Sequence, residues 1–195
     1  RSNIVGKAKE LGIELSPKGE VANRVLDRVK FLESKGFVYE GAEASFELLV
    51  RRAMPEYRAA FELVDFIVLV ERRRRAPTQG ALEETLSEAT VKVRVEGTTI
   101  HTAAEGNGPV NALDEALRRA LVQFYPTLSI VKLADYKARI VDETEGTEAT
   151  VRVLIESTDG QRHWRTVGCS ANVIEASWLA LADSLEYWLL KYGHP

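Results

Sequence analysis

A single cysteine, Cys169, stands among 195 residues, so no disulfide can form within one chain and a reducing setting is expected. The opening residues carry no charged, apolar and small-residue leader pattern, and the expected location is the cytoplasm. Apolar residues never run uninterrupted for the roughly 18 positions a membrane span needs, so no membrane partner is expected. With only 13 glycines and 6 prolines the chain is not of low complexity. Neither sign of charge is in excess: 26 Lys and Arg face 29 Asp and Glu, for a net charge of -3. A pI near 5.8 lacks the basic field of a nucleic-acid binder, so no nucleic acid is expected as a partner. What is present, 45% hydrophobic and 28% charged residues, is the composition of a globular protein with room for one large or two small domains.

The first sixty residues read as helices. Asn3 to Leu11 is a short helical run ended by Gly12, and Ser16 offers an N-cap with Pro17 at the first helical position. Val21, Val25, Val29 and Leu32 then form one apolar stripe of a helix that stops at Gly36. A third helix covers Ala42 to Ala53, because Pro55 cannot continue it. Three narrow stripes make a weak core alone, which predicts a connector that packs on something else.

From Phe66 the texture changes to strands and the chain repeats itself. Ala89 to Glu96 matches Ala149 to Glu156 at a displacement of sixty, with only Arg94 against Leu154 breaking the pattern. Val91, Val93 and Val95, like Val151, Val153 and Ile155, alternate toward a core, and the opposite face is mostly polar. Such half-buried strands belong to antiparallel sheets. Hairpins at Gly97-Thr98 and Asp159-Gly160 lead to return strands at Thr99 to Ala104 and Gln161 to Val167. A helix follows each, one carrying Val110, Leu113, Leu117, Leu121 and Phe124, the other Ile174, Trp178, Leu181, Leu185 and Trp188. Phe66 to Glu71 and Ser129 to Asp142 supply the first strand of each repeat, and Arg72 to about Glu88 reads as a mobile polar loop. The predicted fold is α+β: a helical linker subdomain over 1–60, then a duplicated β-β-β-α domain over 61–195, with units at about 64–126 and 127–192.

No constellation for catalysis or metal binding emerges. His101, His163 and His194 have no metal-ligand spacing, and Gly-x-Ser-x-Gly and phosphate-binding loops are absent. Cys169 follows a glycine at an expected helix start, where a thiolate could be stabilised, but with no base beside it in sequence it reads as a packed thiol. The four arginines from Arg72 to Arg75 read as a solvated charge run rather than a phosphate grip. The strands also show no exposed aromatic platform for RNA. The feature with most chemical promise is the elbow Gly106-Asn107-Gly108-Pro109-Val110, with Gly168 to Asn172 as its counterpart in the second repeat. Free N–H groups at such a helix start favour a carboxylate or phosphate. The alternative is that Asn107 and Ser170 are N-caps and the glycines merely turn the chain.

Three segments taken together resemble the C-terminal portion of the citramalate synthases, relatives of the 2-isopropylmalate and homocitrate synthases. They are Glu40-Gly41-Ala42-Glu43-Ala44-Ser45-Phe46-Glu47-Leu48-Leu49, the run His101 to Leu113, and Thr166-Val167-Gly168 leading to Ile174-Glu175-Ala176-Ser177-Trp178. The first points to the citramalate branch; the Gly-Asn-Gly-Pro elbow is common to both. The resemblance implies an enzyme that condenses acetyl-CoA with pyruvate, its divalent metal and acetyl-CoA held in an N-terminal catalytic barrel that this chain lacks. No cofactor is therefore expected on these residues, which would be inactive alone. It further implies a homodimer, partnered with its own barrel and sensing a branched-chain amino acid, isoleucine above leucine. The contacts carried over by the resemblance are Gly106, Asn107, Gly108, Pro109 and Val110, with Asp135 as a guessed partner for the ammonium and Tyr136 near the effector. A leucine-sensing 2-isopropylmalate synthase region and a dimerisation module without an effector site are the alternatives.

Overall fold

The computed structural model describes residues 2–16, 19–73, 84–141 and 149–193. Three helices come first, α1 (Ser2–Glu10), α2 (Glu20–Glu33) and α3 (Glu43–Arg52). Strands β1 (Glu62–Arg73), β2 (Glu84–Val95) and β3 (Thr98–Gly106) lead into α4 (Pro109–Leu121). After a 3₁₀ turn at Pro126–Ile130 come β4 (Lys132–Ile140), β5 (Val151–Thr158), β6 (His163–Ser170) and α5 (Val173–Tyr192). Both sheets are three-stranded antiparallel meanders, in the orders β1-β2-β3 and β4-β5-β6, so the α+β fold of two β-β-β-α repeats is realised. The chain divides into two compact units, residues 60–130 with 189–195, and residues 1–59 with 131–188.

In the unit of residues 60–130, every second residue of β2 from Ala89 onward is fully buried: Ala89, Val91, Val93 and Val95. They share the core with Leu113, Leu117 and Leu121 of α4, whose small residues Ala112, Ala116 and Ala120 recur every turn. The Thr102 hydroxyl donates to the Ala116 carbonyl at 2.7 Å, fastening the third strand to the middle of the helix. Glu96 and Gly97, both at positive φ, form the two-residue turn between β2 and β3.

The unit of residues 1–59 and 131–188 repeats this plan with its own details. Val153, Ile155 and Ser157 line the inner face of β5, and the Thr166 hydroxyl donates to the Ala180 carbonyl at 2.7 Å. Ser157 and Ser184 bond each other inside the core, and the Trp164 indole N–H donates to Ser184 at 3.1 Å. The outer face of this sheet is covered. Leu154 and Val167 belong to a hydrophobic cluster with Val25, Val29, Phe46 and Leu49 from α2 and α3. The expected connector helices thus find their packing surface on β5 and β6.

Several expectations are corrected. The repeats correspond at a displacement of 64: Thr102 pairs with Val91 and bonds Ala116 where Thr166 pairs with Ile155 and bonds Ala180. A slip of four residues preserves the in-and-out alternation, so the pattern of sixty has the faces right and the equivalence wrong. The outer face of β5 is polar at Arg152 and Glu156 as expected, but Leu154, the one misfit of the sequence match, is apolar because it packs against the helices. Strand β1 starts at Glu62 and runs through Arg73, and β2 begins at Glu84, since the ladder continues to the pair Arg73 and Glu84. Of the predicted loop, only 74–83 lies outside the described residues. Ser129 and Ile130 belong to the 3₁₀ turn, and Phe124 lies beyond the end of α4. Helix α2 starts at Glu20 with Gly19 as its N-cap; the Ser16 carbonyl accepts from Gly19 N–H in a turn, and Pro17 is outside the described residues. The second hairpin turns over four residues, Asp159 to Arg162, rather than two.

That hairpin depends on one carboxylate. Asp159 Oδ1 accepts from the Gln161 and Arg162 N–H groups at 3.0 and 2.7 Å, and Oδ2 takes the Arg162 guanidinium and the Trp188 indole. Burial works against its charge, but these donors outweigh it and hold the carboxyl well below the usual range. Its stabilisation is complete above the ordinary aspartate pKa of about 3.9 and is lost as pH falls below it toward the depressed folded value. Asp159→Asn is expected to lower stability at neutral pH and to flatten the loss of stability between about pH 4 and pH 2 seen in the parent protein by urea unfolding. A second prediction concerns Gly168, where an added Cβ would lie 2.0 Å from the Ala176 carbonyl oxygen. Gly168→Ala must push α5 off β6, at a cost of about 1 to 3 kcal/mol or more in the same measurement.

Candidate functional site

The first elbow is set by steric closeness. A Cβ on Gly106 would sit 2.4 Å from the Ala112 backbone nitrogen, so only glycine lets β3 end against the first turn of α4. The Asn111 side-chain oxygen accepts from Asn107 N–H at 3.1 Å and holds the turn. Gly108 is the N-cap in extended backbone, with no side chain to cap, and Pro109 occupies the first helical position. Ala112 N–H already donates to the Gly108 carbonyl at 2.9 Å. The N–H groups of Val110 and Asn111 have no hydrogen-bond partner among the described residues. The first turn carries no acidic residue, so nothing offsets the positive end of the helix dipole. Asn107 and Asn111 are exposed, Gly108 and Val110 half-buried.

The second elbow has the opposite chemistry. At the displacement of 64, Gly108 corresponds to Asn172, whose side-chain oxygen accepts from Ile174 N–H at 2.8 Å and Glu175 N–H at 3.4 Å. Ser170 bonds the Glu175 carboxylate at 2.6 Å, so an anion already sits at this helix start. The cap is Asn172 and not Ser170, because β6 runs on through Gly168, Cys169 and Ser170. In the first elbow likewise Asn107 is not the cap. Cys169 is a buried strand residue rather than a helix-start thiol, and burial raises its pKa. One elbow is closed by its own side chains, and the other leaves two N–H groups open.

Gly106 to Val110 form one continuous elbow in the unit of residues 60–130, whereas Asp135 and Tyr136 are neighbours on β4 of the other unit. The Lys137 ammonium lies 3.1 Å from the exposed Asp135 carboxylate and holds its pKa down. The Tyr136 hydroxyl meets Ser177 Oγ at 2.9 Å, and since Ser177 donates to the Val173 carbonyl, the phenol is the donor. Tyr136 therefore ties β4 to α5 within its own unit.

Sequence reading missed a polar cluster joining α3 and α5. Arg52 donates to Asp183 at 2.8 Å and to Glu186; Ser45 donates to the other Asp183 oxygen at 2.8 Å, and Tyr57 donates to Glu186. Burial and the Glu186 carboxylate push the Tyr57 phenol up to about 12. Burial likewise raises Asp183, although Arg52 pulls the other way. The available signal was spacing, since Ser45 and Arg52 are two turns apart on one helix and Asp183 and Glu186 one turn apart on another. Among the described residues no three His, Cys, Asp or Glu side chains are grouped to hold a metal ion, and no helix is long and apolar enough to cross a membrane.

The two helix starts predict opposite responses. Asn172→Ala should cost about 1 kcal/mol in urea unfolding by uncapping α5, while Gly108→Asn, with no atom within 4 Å of its new Cβ, should gain a few tenths.

The profile of the LeuA allosteric (dimerisation) domain matches residues 40–189. The (R)-citramalate synthase of Aquifex aeolicus is 52% identical over 193 residues, covering 98% of this chain and 35% of that protein. The (R)-citramalate synthase of Geobacter sulfurreducens is 50% identical over 191 residues, again 98% of this chain and 35% of the relative. The 2-isopropylmalate synthase of Shewanella woodyi is 30% identical over 154 residues, 78% of this chain and 25% of the relative. The chain spans about a third of the length of the curated citramalate synthases it matches.

Proposed function

The chain belongs to the LeuA allosteric (dimerisation) domain family, and from that premise we propose that it is the feedback-sensing and dimerising region of a citramalate synthase. The whole protein then condenses acetyl-CoA with pyruvate, with acetyl-CoA and a divalent metal held by a catalytic barrel outside these residues. The effector is a branched-chain amino acid, isoleucine. Identities of 50% and above to (R)-citramalate synthases, against 30% to a 2-isopropylmalate synthase, favour this branch.

The observation that carries the sensing is the open first elbow. Val110 and Asn111 N–H groups, unbonded among the described residues, suit an effector carboxylate, and the dipole of α4 adds to the attraction. Burying a branched aliphatic side chain contributes about 1.5 to 3 kcal/mol. One methylene separates isoleucine from valine and is worth about 1 to 3 kcal/mol, so selectivity is partial. Asp135 and Tyr136 already have intra-unit partners and add nothing to this reading. Dimerisation has support in edge strand β1, where Ile67 and Leu69 share one face and are exposed, Ile67 to 68%. An exposed apolar strip of that kind is what a second copy would bury. Effector binding that favours one arrangement of the sensing region biases the barrel through a coupling of about 1 to 3 kcal/mol.

Gly108→Asp tests the reading in the full-length synthase. The backbone there is extended and the Cβ position open, so aspartate fits and caps α4 itself. The variant should keep its catalytic rate and thermal stability while isoleucine inhibition disappears, because a fixed carboxylate takes the two N–H groups. Undiminished inhibition in the folded variant would put the effector elsewhere.

A further inference from the structure

Among the described residues, Ser87 Oγ is the buried side-chain polar atom that has no hydrogen-bond partner. Ser87 is 1% exposed, so water does not stand in for the missing protein group. A hydroxyl left in that state costs free energy that a bonded partner would recover, and it calls for an explanation.

The strand ladder sets where this hydroxyl points. Ser87 of β2 pairs with Val70 of β1 on one side and with Gly106 of β3 on the other. Paired residues of antiparallel strands direct their side chains to the same face. For Gly106 that face is the one on which α4 begins, since a Cβ there would meet the Ala112 nitrogen at 2.4 Å and the Asn111 side-chain oxygen at 2.7 Å. The Ser87 hydroxyl is therefore directed toward the first turn of α4, the turn whose Val110 and Asn111 N–H groups are open. Val70 shares this face and is 54% exposed, which puts an aliphatic surface beside the hydroxyl. The second repeat lacks the device. At the displacement of 64, Val151 stands in place of Ser87, and there α5 is capped by Asn172. An unsatisfied hydroxyl thus accompanies the open helix start and an apolar residue the closed one.

We propose that Ser87 is an effector-binding residue: a ligand carboxylate entering between β2 and the start of α4 takes the Ser87 O–H as a third donor beside the Val110 and Asn111 N–H groups, and the ligand's branched aliphatic chain lies on Val70. The inference rests on the sensing elbow proposed above and adds to it a side chain from a different strand. A hydroxyl can donate to an anion or accept from a cation, and α4 decides between them. Its first turn carries the positive end of the helix dipole and no acid, so a carboxylate is attracted where an ammonium is repelled.

Calorimetric titration of the full-length synthase with isoleucine, in the parent, Gly108→Asp and Ser87→Ala forms, tests the assignment. Ser87→Ala should weaken isoleucine about tenfold, the worth of one hydrogen bond to a charged group. The thermal midpoint of the unliganded variant should stay the same or rise, because the hydroxyl bonds nothing in the protein. A lowered midpoint would assign the hydroxyl to the fold and overturn the proposal. Binding lost in Gly108→Asp but undiminished in Ser87→Ala would overturn the role of Ser87 and leave the elbow reading standing. Binding unchanged in both variants, or absent from the parent, would overturn the two together.

Discussion

The closeness of helix to third strand is the constraint on which the rest of the structure depends. In each repeat a threonine of that strand donates to an alanine carbonyl in the middle of the helix, Thr102 to Ala116 and Thr166 to Ala180. Those bonds need the helix backbone within hydrogen-bond reach of a strand side chain, which in turn needs alanine and glycine where the two elements face. Gly168 and Gly106 are the extreme cases, since a Cβ on either would meet backbone atoms of the following helix at 2.0 and 2.4 Å. The chain must therefore leave the sheet and enter the helix within a few residues. An elbow that tight delivers the helix start, with its orphan N–H groups, beside the end of the strand.

Once the elbow is fixed, a single position decides its chemistry. Where the chain has Asn172 the helix caps itself, and Ser170 with Glu175 brings a negative charge to the same place. Where it has Gly108 the N–H groups stay open, and no acid lies in the first turn. Duplication thus yields one self-sufficient helix start and one that a ligand can complete. The repeats diverge also on their outer faces: the second sheet buries Leu154 and Val167 under α2 and α3, while the first leaves Ile67 and Leu69 of β1 exposed.

The β-β-β-α duplication was legible because alternation over β2 and β5 is strong and each helix carries a clean apolar stripe. Its displacement was not, because period-two patterns look alike after an even slip; the strand pairings together with the bonds of Thr102 to Ala116 and Thr166 to Ala180 fix the offset at 64. The elbow could be found from its glycines, but Gly106 and Gly108 look equivalent in sequence. The structure separates them: one is required by a backbone approach, and the other has no atom within 4 Å of its Cβ position. Ser-Pro satisfies the local rules for a helix start, yet α2 begins at Glu20, and the Ser16 carbonyl accepts from Gly19 N–H instead.

The cluster around Arg52 was hidden for a different reason, since its partners Asp183 and Glu186 lie more than 130 residues away and only tertiary packing joins them. Removing Arg52 would leave Asp183 and Glu186, two carboxylates one turn apart in a partly buried site, without the cation that offsets both.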